Sequence, residues 1–117
     1  MKFRSKFEER VYKDAIENNK KIEYEPDYLP YVFSSRYLID FRLPNGIIVE
    51  TKGRLTQQDR RKMLAVKEAN ISYDIRFVFM RSNNVIRKGS KLTYAGWAEA
   101  NGFKWAEGKI PLEWWKE

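Results

Sequence analysis

The chain of 117 residues contains no cysteine and no histidine. Without cysteine there is no disulfide and no thiolate metal site, and without histidine the usual zinc ligand and the usual general base are both missing. Any catalysis by this chain must therefore rest on carboxylates, on lysine and on a metal ion that prefers oxygen ligands.

Long apolar runs are also lacking. No stretch approaches the ~20 apolar residues that a membrane-spanning helix needs, and no amino-terminal signal sequence is visible. We therefore expect one domain over residues 1–117 that is neither membrane-bound nor secreted. Lysine and arginine number 23 against 16 acidic residues, a net charge of +7, which favours a polyanionic partner such as nucleic acid.

One stretch has the pattern of a tight β-hairpin around 44–46, because alternating residues precede it and β-branched residues follow it. The length of the turn decides which side chains meet across the strands. A two-residue loop would place Asp40 opposite Thr51, whereas a three-residue loop would place Asp40 opposite Glu50. We favour the three-residue loop, since proline, asparagine and glycine suit its successive positions.

In that register the β-carbons of Asp40 and Glu50 should lie about 5 Å apart, with Lys52 on the same face two residues further along. Two carboxylates on adjacent strands are hard oxygen ligands, so the pair indicates a site for Mg²⁺ or Mn²⁺. A solvated cross-strand salt bridge would explain an isolated Glu-x-Lys equally well. The residues alone leave both interpretations open.

The rest of the chain predicts an α/β fold, a mixed sheet with flanking helices. Helices are expected over about 6–18, from 57 to about 69 and over 94–101, and a central strand over 73–80. A helix separates this strand from the hairpin, so the two strands should be parallel neighbours. For the second helix the predicted buried residues are Met63, Leu64, Val66 and Ala69.

Several basic side chains are candidates for contacts with DNA phosphates, on the first helix, on the second helix and in the loop after the central strand. They are Arg10, Arg60, Arg61, Lys62, Arg87, Lys88 and Lys91. The acid Glu8 follows Ser5 at capping-box spacing, so it could simply cap the first helix. Residues 26–36 combine two prolines with apolar side chains, which fits either an edge strand or an arm packed on a second subunit.

Five segments closely resemble the endonuclease I family of T-odd bacteriophages, which are four-way (Holliday) junction resolvases. They are residues 3–9 (FRSKFEE), 40–53 (DFRLPNGIIVETKG), 59–62 (DRRK), 88–90 (KGS) and 110–114 (IPLEW), and the resemblance covers nearly the whole chain in order. It implies a restriction-endonuclease-like core with the PD-(D/E)xK nuclease signature.

The resemblance also implies roles for individual residues. The family's metal-binding carboxylates fall on Asp40 and Glu50, with the Thr51 backbone carbonyl as a further ligand, and its catalytic lysine falls on Lys52. Its helix-borne acid falls on Glu8, which favours a catalytic and metal-binding role over a cap. One or two Mg²⁺ or Mn²⁺ ions per site are implied.

Members of this family form intertwined homodimers whose active sites are shared between subunits. Residues 26–36 would then be the crossing arm, branched DNA the substrate, and the cytoplasm of an infected bacterium the place of action. Two departures stand out: Ile39 replaces the proline before the aspartate, and the arm looks a few residues shorter. The alternatives are a related nuclease that cuts duplex DNA and a non-catalytic DNA-binding dimer.

Overall fold

The computed structural model describes residues 1–32 and 35–117, and for residues 31, 32 and 35 it describes the backbone alone. In these residues a mixed five-stranded sheet and three α-helices form the main part of the fold. The helices are α1 (Lys6–Glu17), α2 (Gln57–Ala69) and α3 (Tyr94–Ala100), and a 3₁₀ helix covers Leu112–Lys116. The strands are β1 (Glu23–Tyr24), β2 (Tyr28–Val32), β3 (Ser35–Leu38), β4 (Phe41–Arg42), β5 (Ile48–Lys52), β6 (Ile75–Phe79) and β7 (Trp105–Glu107).

The large sheet has the strand order β1-β4-β5-β6-β7. Its first three strands are antiparallel, whereas β5, β6 and β7 run parallel. The predicted α/β class is confirmed, as is the parallel pairing of β5 with β6 across the helix that connects them. Within the described residues no helix is both long and apolar enough to cross a membrane.

The sheet separates two hydrophobic cores. On one face α2 and α3 pack around Phe77 and Phe79 of β6. On the other face α1 contributes Phe7 and Val11, which pack with Phe41 of β4 and with the C-terminal Trp114. Because residues of a strand alternate between the two faces, the central strands β5 and β6 are buried on both sides.

The buried side of α2 differs from the one predicted. Leu64 is 38% exposed and Ala69 is exposed, so these two assignments are wrong. The buried stripe instead consists of positions 60, 63, 66 and 70, spaced three or four residues apart as one helix face requires. Arg60 and Asn70 can be buried there because both make hydrogen bonds to backbone carbonyl groups.

Strands β2 and β3 form a separate two-stranded ribbon that packs on α2 of the same chain. Pro30 lies in this ribbon opposite Arg36, and an edge position of this kind tolerates its missing N–H. Leu29 enters the core, and the Asn70 side chain donates to the Pro30 carbonyl over 2.5 Å. Two residues of the expected crossing arm, 33 and 34, lie outside the described residues.

A buried arginine connects the centre of the sheet to the end of the chain. Arg76 of β6 is 1% exposed, and its guanidinium makes paired hydrogen bonds to Asp74 (2.9 and 2.7 Å) and to Glu117 (both 2.7 Å). It also lies over the Trp114 ring, 5.0 Å from the centroid. The guanidinium therefore fixes the 3₁₀ helix against the sheet.

Replacing this arginine should be costly. We expect Arg76→Ala to lower the free energy of unfolding by roughly 2–4 kcal/mol, because the variant loses four charge-assisted hydrogen bonds and the packing on Trp114. Lys104→Ala, which removes an exposed partner of the same Glu117, should change it by less than about 0.5 kcal/mol. Urea unfolding of both variants measures the difference, and equal values would contradict a buried role for Arg76.

Candidate active site

The register of the β4–β5 hairpin places two acids side by side. Phe41 pairs with Val49 and Arg42 with Ile48, so the same register sets Asp40 opposite Glu50. The three-residue turn over 44–46 is confirmed by the pairing of the next residues, whose backbone bond from Leu43 N–H to the Ile47 carbonyl is 2.9 Å. Gly46 has φ of +92°, a conformation that glycine adopts without strain.

Asp40 is joined to β5 by reciprocal hydrogen bonds. Its backbone N–H donates to Oε2 of Glu50 over 2.8 Å, and its own Oδ2 accepts from the Thr51 N–H (2.8 Å) and from the Thr51 hydroxyl (3.0 Å). The N–H and C=O of one strand residue point to the same side, so the Thr51 carbonyl also lies on the Asp40 side of β5. These bonds fix both carboxylates at the end of the strand.

Glu50 is completely buried. No group in the described parts of the chain donates a hydrogen bond to its second oxygen, Oε1. Against the effect of burial, the nearby Tyr37 hydroxyl lowers the pKa of Glu50, although Oε1 has no hydrogen-bond partner of good geometry among the described residues. A buried carboxylate oxygen without a donor is costly, and it is a natural position for a cation.

Burial and mutual repulsion disturb the ionisation of both acids. Burial, and then the charge of Asp40, raise the pKa of Glu50 to about 8. Burial also raises the pKa of Asp40 to about 6, although its hydrogen bond from Thr51 acts in the opposite direction. Lys52, two residues beyond Glu50 on β5, lowers the pKa of both acids. Without a metal ion the two carboxylates are therefore hard to ionise together.

Lys52 is held by a third acid. Its Nζ lies 3.7 Å from Oδ1 of Asp59 in the first turn of α2. Asp59 also closes a capping box with Thr56, in which each residue accepts from the backbone N–H of the other. Burial opposes ionisation of Asp59, but Lys52 and Thr56 lower its pKa overall. The cap at Thr56 thus also positions the lysine.

Glu8 reaches the site from α1. Ser5 caps this helix by accepting from the Glu8 N–H over 3.1 Å, but the Glu8 carboxylate does not complete a capping box. It is buried and instead accepts a short hydrogen bond from the Tyr24 hydroxyl. The charge of Glu8 contributes to the raised pKa of Asp40, which places the two acids near each other.

A second cation and a further acid complete the cluster. Arg4 donates from Nη2 to Oδ1 of Asp40 over 2.9 Å, and its Nε is paired with Glu25. Glu25 adopts a left-handed backbone conformation with φ of +46°, and its N–H donates to the Asp40 carbonyl over 2.7 Å. Such a conformation is strained for a residue with a side chain, and strain of this kind often accompanies a functional site.

The donor groups suit a hard divalent cation. The cluster contains two cations, Arg4 and Lys52, and five carboxylates, so it has an excess of three negative charges when all the acids are ionised. The five acids are Glu8, Glu25, Asp40, Glu50 and Asp59. Among residues 1–32 and 35–117, however, no three acids already converge as a complete set of metal ligands. Asp40 and Glu50 supply the adjacent pair, while Tyr24 and Arg4 engage the acids around it.

Comparison with known proteins identifies the family of this chain. The family model described as phage endonuclease I matches residues 1–117. The chain belongs to this family. It is 43% identical to endonuclease I of Escherichia phage T7 over 118 aligned residues, which cover 98% of this chain and 79% of that protein. It is 40% identical to endodeoxyribonuclease 1 of Enterobacteria phage T3, with coverage of 98% and 78%. The recognition of the phage endonuclease I family from sequence is confirmed.

The candidate phosphate contacts fall into two groups. Most lie at least partly on the surface: Arg10, Arg61, Arg87, Lys88 and Lys91 are exposed, and Lys62 is half-buried. The prediction that Arg60 contacts a phosphate is wrong, because this residue is buried (9% exposed) and donates to the carbonyls of Leu55 (2.8 Å) and Ile86 (3.1 Å). It therefore joins the segment after β5 to the loop after β6 and is not available to a phosphate.

The sequence patterns did not identify Arg4, Tyr24, Glu25 or Asp59 as members of the cluster around Asp40 and Glu50. Arg4 and Asp59 do lie in segments that carry the family resemblance, so the motifs contained a signal for them. Tyr24 and Glu25 end a short alternating stretch whose pattern indicates only a strand. Their positions beside Glu8 and Asp40 depend on the pairing of β1 with β4, a long-range contact.

Neutralising Glu50 should stabilise the metal-free protein in a pH-dependent way. The pKa of Glu50 in the folded chain lies above its usual value of 4.5, so its contribution to stability is fully present below about pH 4 and is lost as pH rises towards 8. The free energy of unfolding of Glu50→Gln should therefore exceed that of the unsubstituted protein by roughly 1–3 kcal/mol at pH 8. At pH 4.5 the two free energies of unfolding should be nearly the same.

Denaturant unfolding in EDTA at both pH values measures this effect. Glu113→Gln is the matched control, because Glu113 is exposed and its charge should matter little at either pH. A stability difference that did not grow between pH 4.5 and pH 8 would show that Glu50 is not forced to ionise against burial and Asp40.

Proposed function

We propose that this protein is a structure-selective DNA endonuclease that resolves four-way junctions and other branched DNA by metal-dependent hydrolysis of phosphodiester bonds. The observation that carries this proposal is the buried Asp40–Glu50 pair with Lys52 beside it, in a chain with a net charge of +7. The names of the relatives, endonuclease I and endodeoxyribonuclease 1, support the nuclease class and DNA as substrate. The place of action would be the cytoplasm of a bacterium infected by a phage.

The residues divide the work of hydrolysis. Asp40, Glu50, Glu8 and the Thr51 carbonyl would hold one or two Mg²⁺ or Mn²⁺ ions. Such an ion, when bound, lowers the pKa of a water molecule and stabilises charge on the phosphate. Lys52, held by Asp59, would orient or deprotonate the attacking water and neutralise developing negative charge. We also propose that the five-stranded sheet and its helices form a restriction-endonuclease-like core.

Substrate choice would rest on shape. Exposed basic residues on α1, on α2 and in the loop after β6 would contact phosphates without reading bases. The two rivals are a related nuclease that cuts linear duplex DNA and a non-catalytic DNA-binding dimer. The burial of the adjacent acids Asp40 and Glu50, with their raised pKa values, favours the enzyme over the binding module, because buried acids of this kind cluster at catalytic sites.

A shared site would follow if two chains exchanged their N-terminal parts. Glu8 and Tyr24 lie before residues 33–34, whereas Asp40, Glu50 and Lys52 lie after them. Strands β2 and β3 pair with each other within one chain, and opening this pairing would carry α1 and β1 onto a partner with the same contacts. We propose this exchange as the origin of a homodimer with two active sites, which suits paired nicks across a junction.

The first test compares substrates. With Mg²⁺ the protein should nick a synthetic four-way junction at least about tenfold faster than linear duplex of the same sequence, and Asp40→Ala should reduce nicking by about a thousandfold or more. EDTA should abolish cleavage. Equal rates on both substrates would contradict junction selectivity, and junction binding without any cleavage would favour the binding module.

The second test concerns sharing. Glu8→Ala and Lys52→Ala homodimers should both be inactive. In a mixed dimer with shared sites, one site receives both defects and the other receives Glu8 and Lys52 intact, so nicking should return at about half the unsubstituted rate. Co-purification through two different tags isolates the mixed dimer. If it stays inactive while it still binds a junction, the sites are not shared.

A further inference from the structure

Arg4 is the side chain that neutralises Asp40 in this structure. Its Nη2 donates to Oδ1 of Asp40 over 2.9 Å while its Nε pairs with Glu25. The arginine side chain is 54% exposed, whereas that of Asp40 is 4% exposed. A half-exposed cation therefore reaches into a buried acidic site and bridges two of its carboxylates.

The two oxygens of Asp40 are not equivalent. Oδ2 accepts two hydrogen bonds, from the Thr51 N–H and the Thr51 hydroxyl, and so both of its lone pairs are in use. Oδ1 accepts from Arg4. It is thus the oxygen of Asp40 that retains capacity to bind a metal ion, and the guanidinium is directed at it.

Glu8 is engaged through the same segment. The backbone N–H of Arg4 donates to the Tyr24 hydroxyl over 3.0 Å, and that hydroxyl donates to Oε1 of Glu8. Arg4 and Tyr24 together hold two of the proposed ligands in separate hydrogen bonds. This arrangement explains why the acids do not already converge as a complete set of ligands within the described residues.

We propose that Arg4 is a resident counter-ion that competes with the divalent cation for Oδ1 of Asp40 and thereby sets the metal affinity of the site. The proposal rests on the proposed function in one respect, that Asp40 ligates a cation. A divalent ion on Oδ1 would lie next to the Arg4 guanidinium and be repelled by its charge, so the ion binds well only when Arg4 moves away. Glu25 is the carboxylate that could keep the guanidinium paired. Metal binding by the unsubstituted protein therefore includes the cost of breaking one ion pair.

The experiment measures metal binding in the absence of DNA. Titration calorimetry with Mn²⁺ should give a dissociation constant for Arg4→Ala about threefold to tenfold lower than for the unsubstituted protein, because the lost ion pair is partly exposed. Arg4→Lys keeps the charge but not the two-pronged geometry, so it should lie between them. Lys13→Ala removes an exposed cation of α1, and its dissociation constant should stay within about twofold.

A thermal readout supports the calorimetry. The rise in melting temperature on addition of a fixed Mn²⁺ concentration should be larger for Arg4→Ala than for the unsubstituted protein, since the tighter complex stabilises the folded state more. In EDTA the melting temperature of Arg4→Ala should instead be lower than that of the unsubstituted protein, because the variant leaves Asp40 without its cation. If Arg4→Ala does not fold, the intermediate affinity expected for Arg4→Lys carries the test.

Three results would overturn the proposal. Equal or weaker Mn²⁺ binding by Arg4→Ala would show that Arg4 does not compete, or that it prepares Asp40 for the ion. The same increase in affinity in Lys13→Ala would show a general effect of charge. Absence of Mn²⁺ binding by the unsubstituted protein would overturn the proposed function and this inference together, whereas the first two results would leave the proposed function intact.

Discussion

The hydrogen bonds between Asp40 and β5 are the constraint on which the site depends. Strand β4 consists of Phe41 and Arg42 only, but Asp40 continues its pairing with β5. The Asp40 N–H donates to the Glu50 side chain, and the Asp40 side chain accepts from the Thr51 N–H. Two carboxylates are thereby used as substitutes for ladder hydrogen bonds. The turn of three residues sets this register, and a turn shorter by one residue would have turned Glu50 to the opposite face.

Keeping these acids together imposes an electrostatic cost, which the surrounding elements reduce. Arg4 neutralises Asp40, Asp59 holds Lys52, and the first turns of α1 and α2 both lie beside the cluster. Burial nevertheless keeps the pKa values of Asp40 and Glu50 high. The site is thus poorly suited to stability alone and well suited to a hard divalent cation, a common compromise at catalytic centres.

Elsewhere the structure uses buried charge differently. Arg76 is surrounded by two carboxylates with paired geometry, and Arg60 is satisfied by two backbone carbonyls. Both arginines connect segments far apart in sequence. Arg76 joins the sheet to the 3₁₀ helix, and Arg60 joins the segment after β5 to the loop after β6. Both guanidinium groups have hydrogen-bond partners that the fold supplies, whereas Oε1 of Glu50 in the acidic cluster has no donor among the described residues, so the two arginines are explained by stabilisation of the fold.

The sequence by itself determined what depends on neighbouring residues: the turn over 44–46, the caps Ser5 and Thr56, the facing pair Asp40 and Glu50, and the family. Turn chemistry and capping act over a few residues, so their patterns are legible locally. Tertiary structure alone decided that Arg60 is buried and that Arg4 reaches Asp40, 36 residues away. The physical reason is that a charged side chain can be buried wherever the fold supplies partners, and those partners come from distant segments that no local pattern specifies.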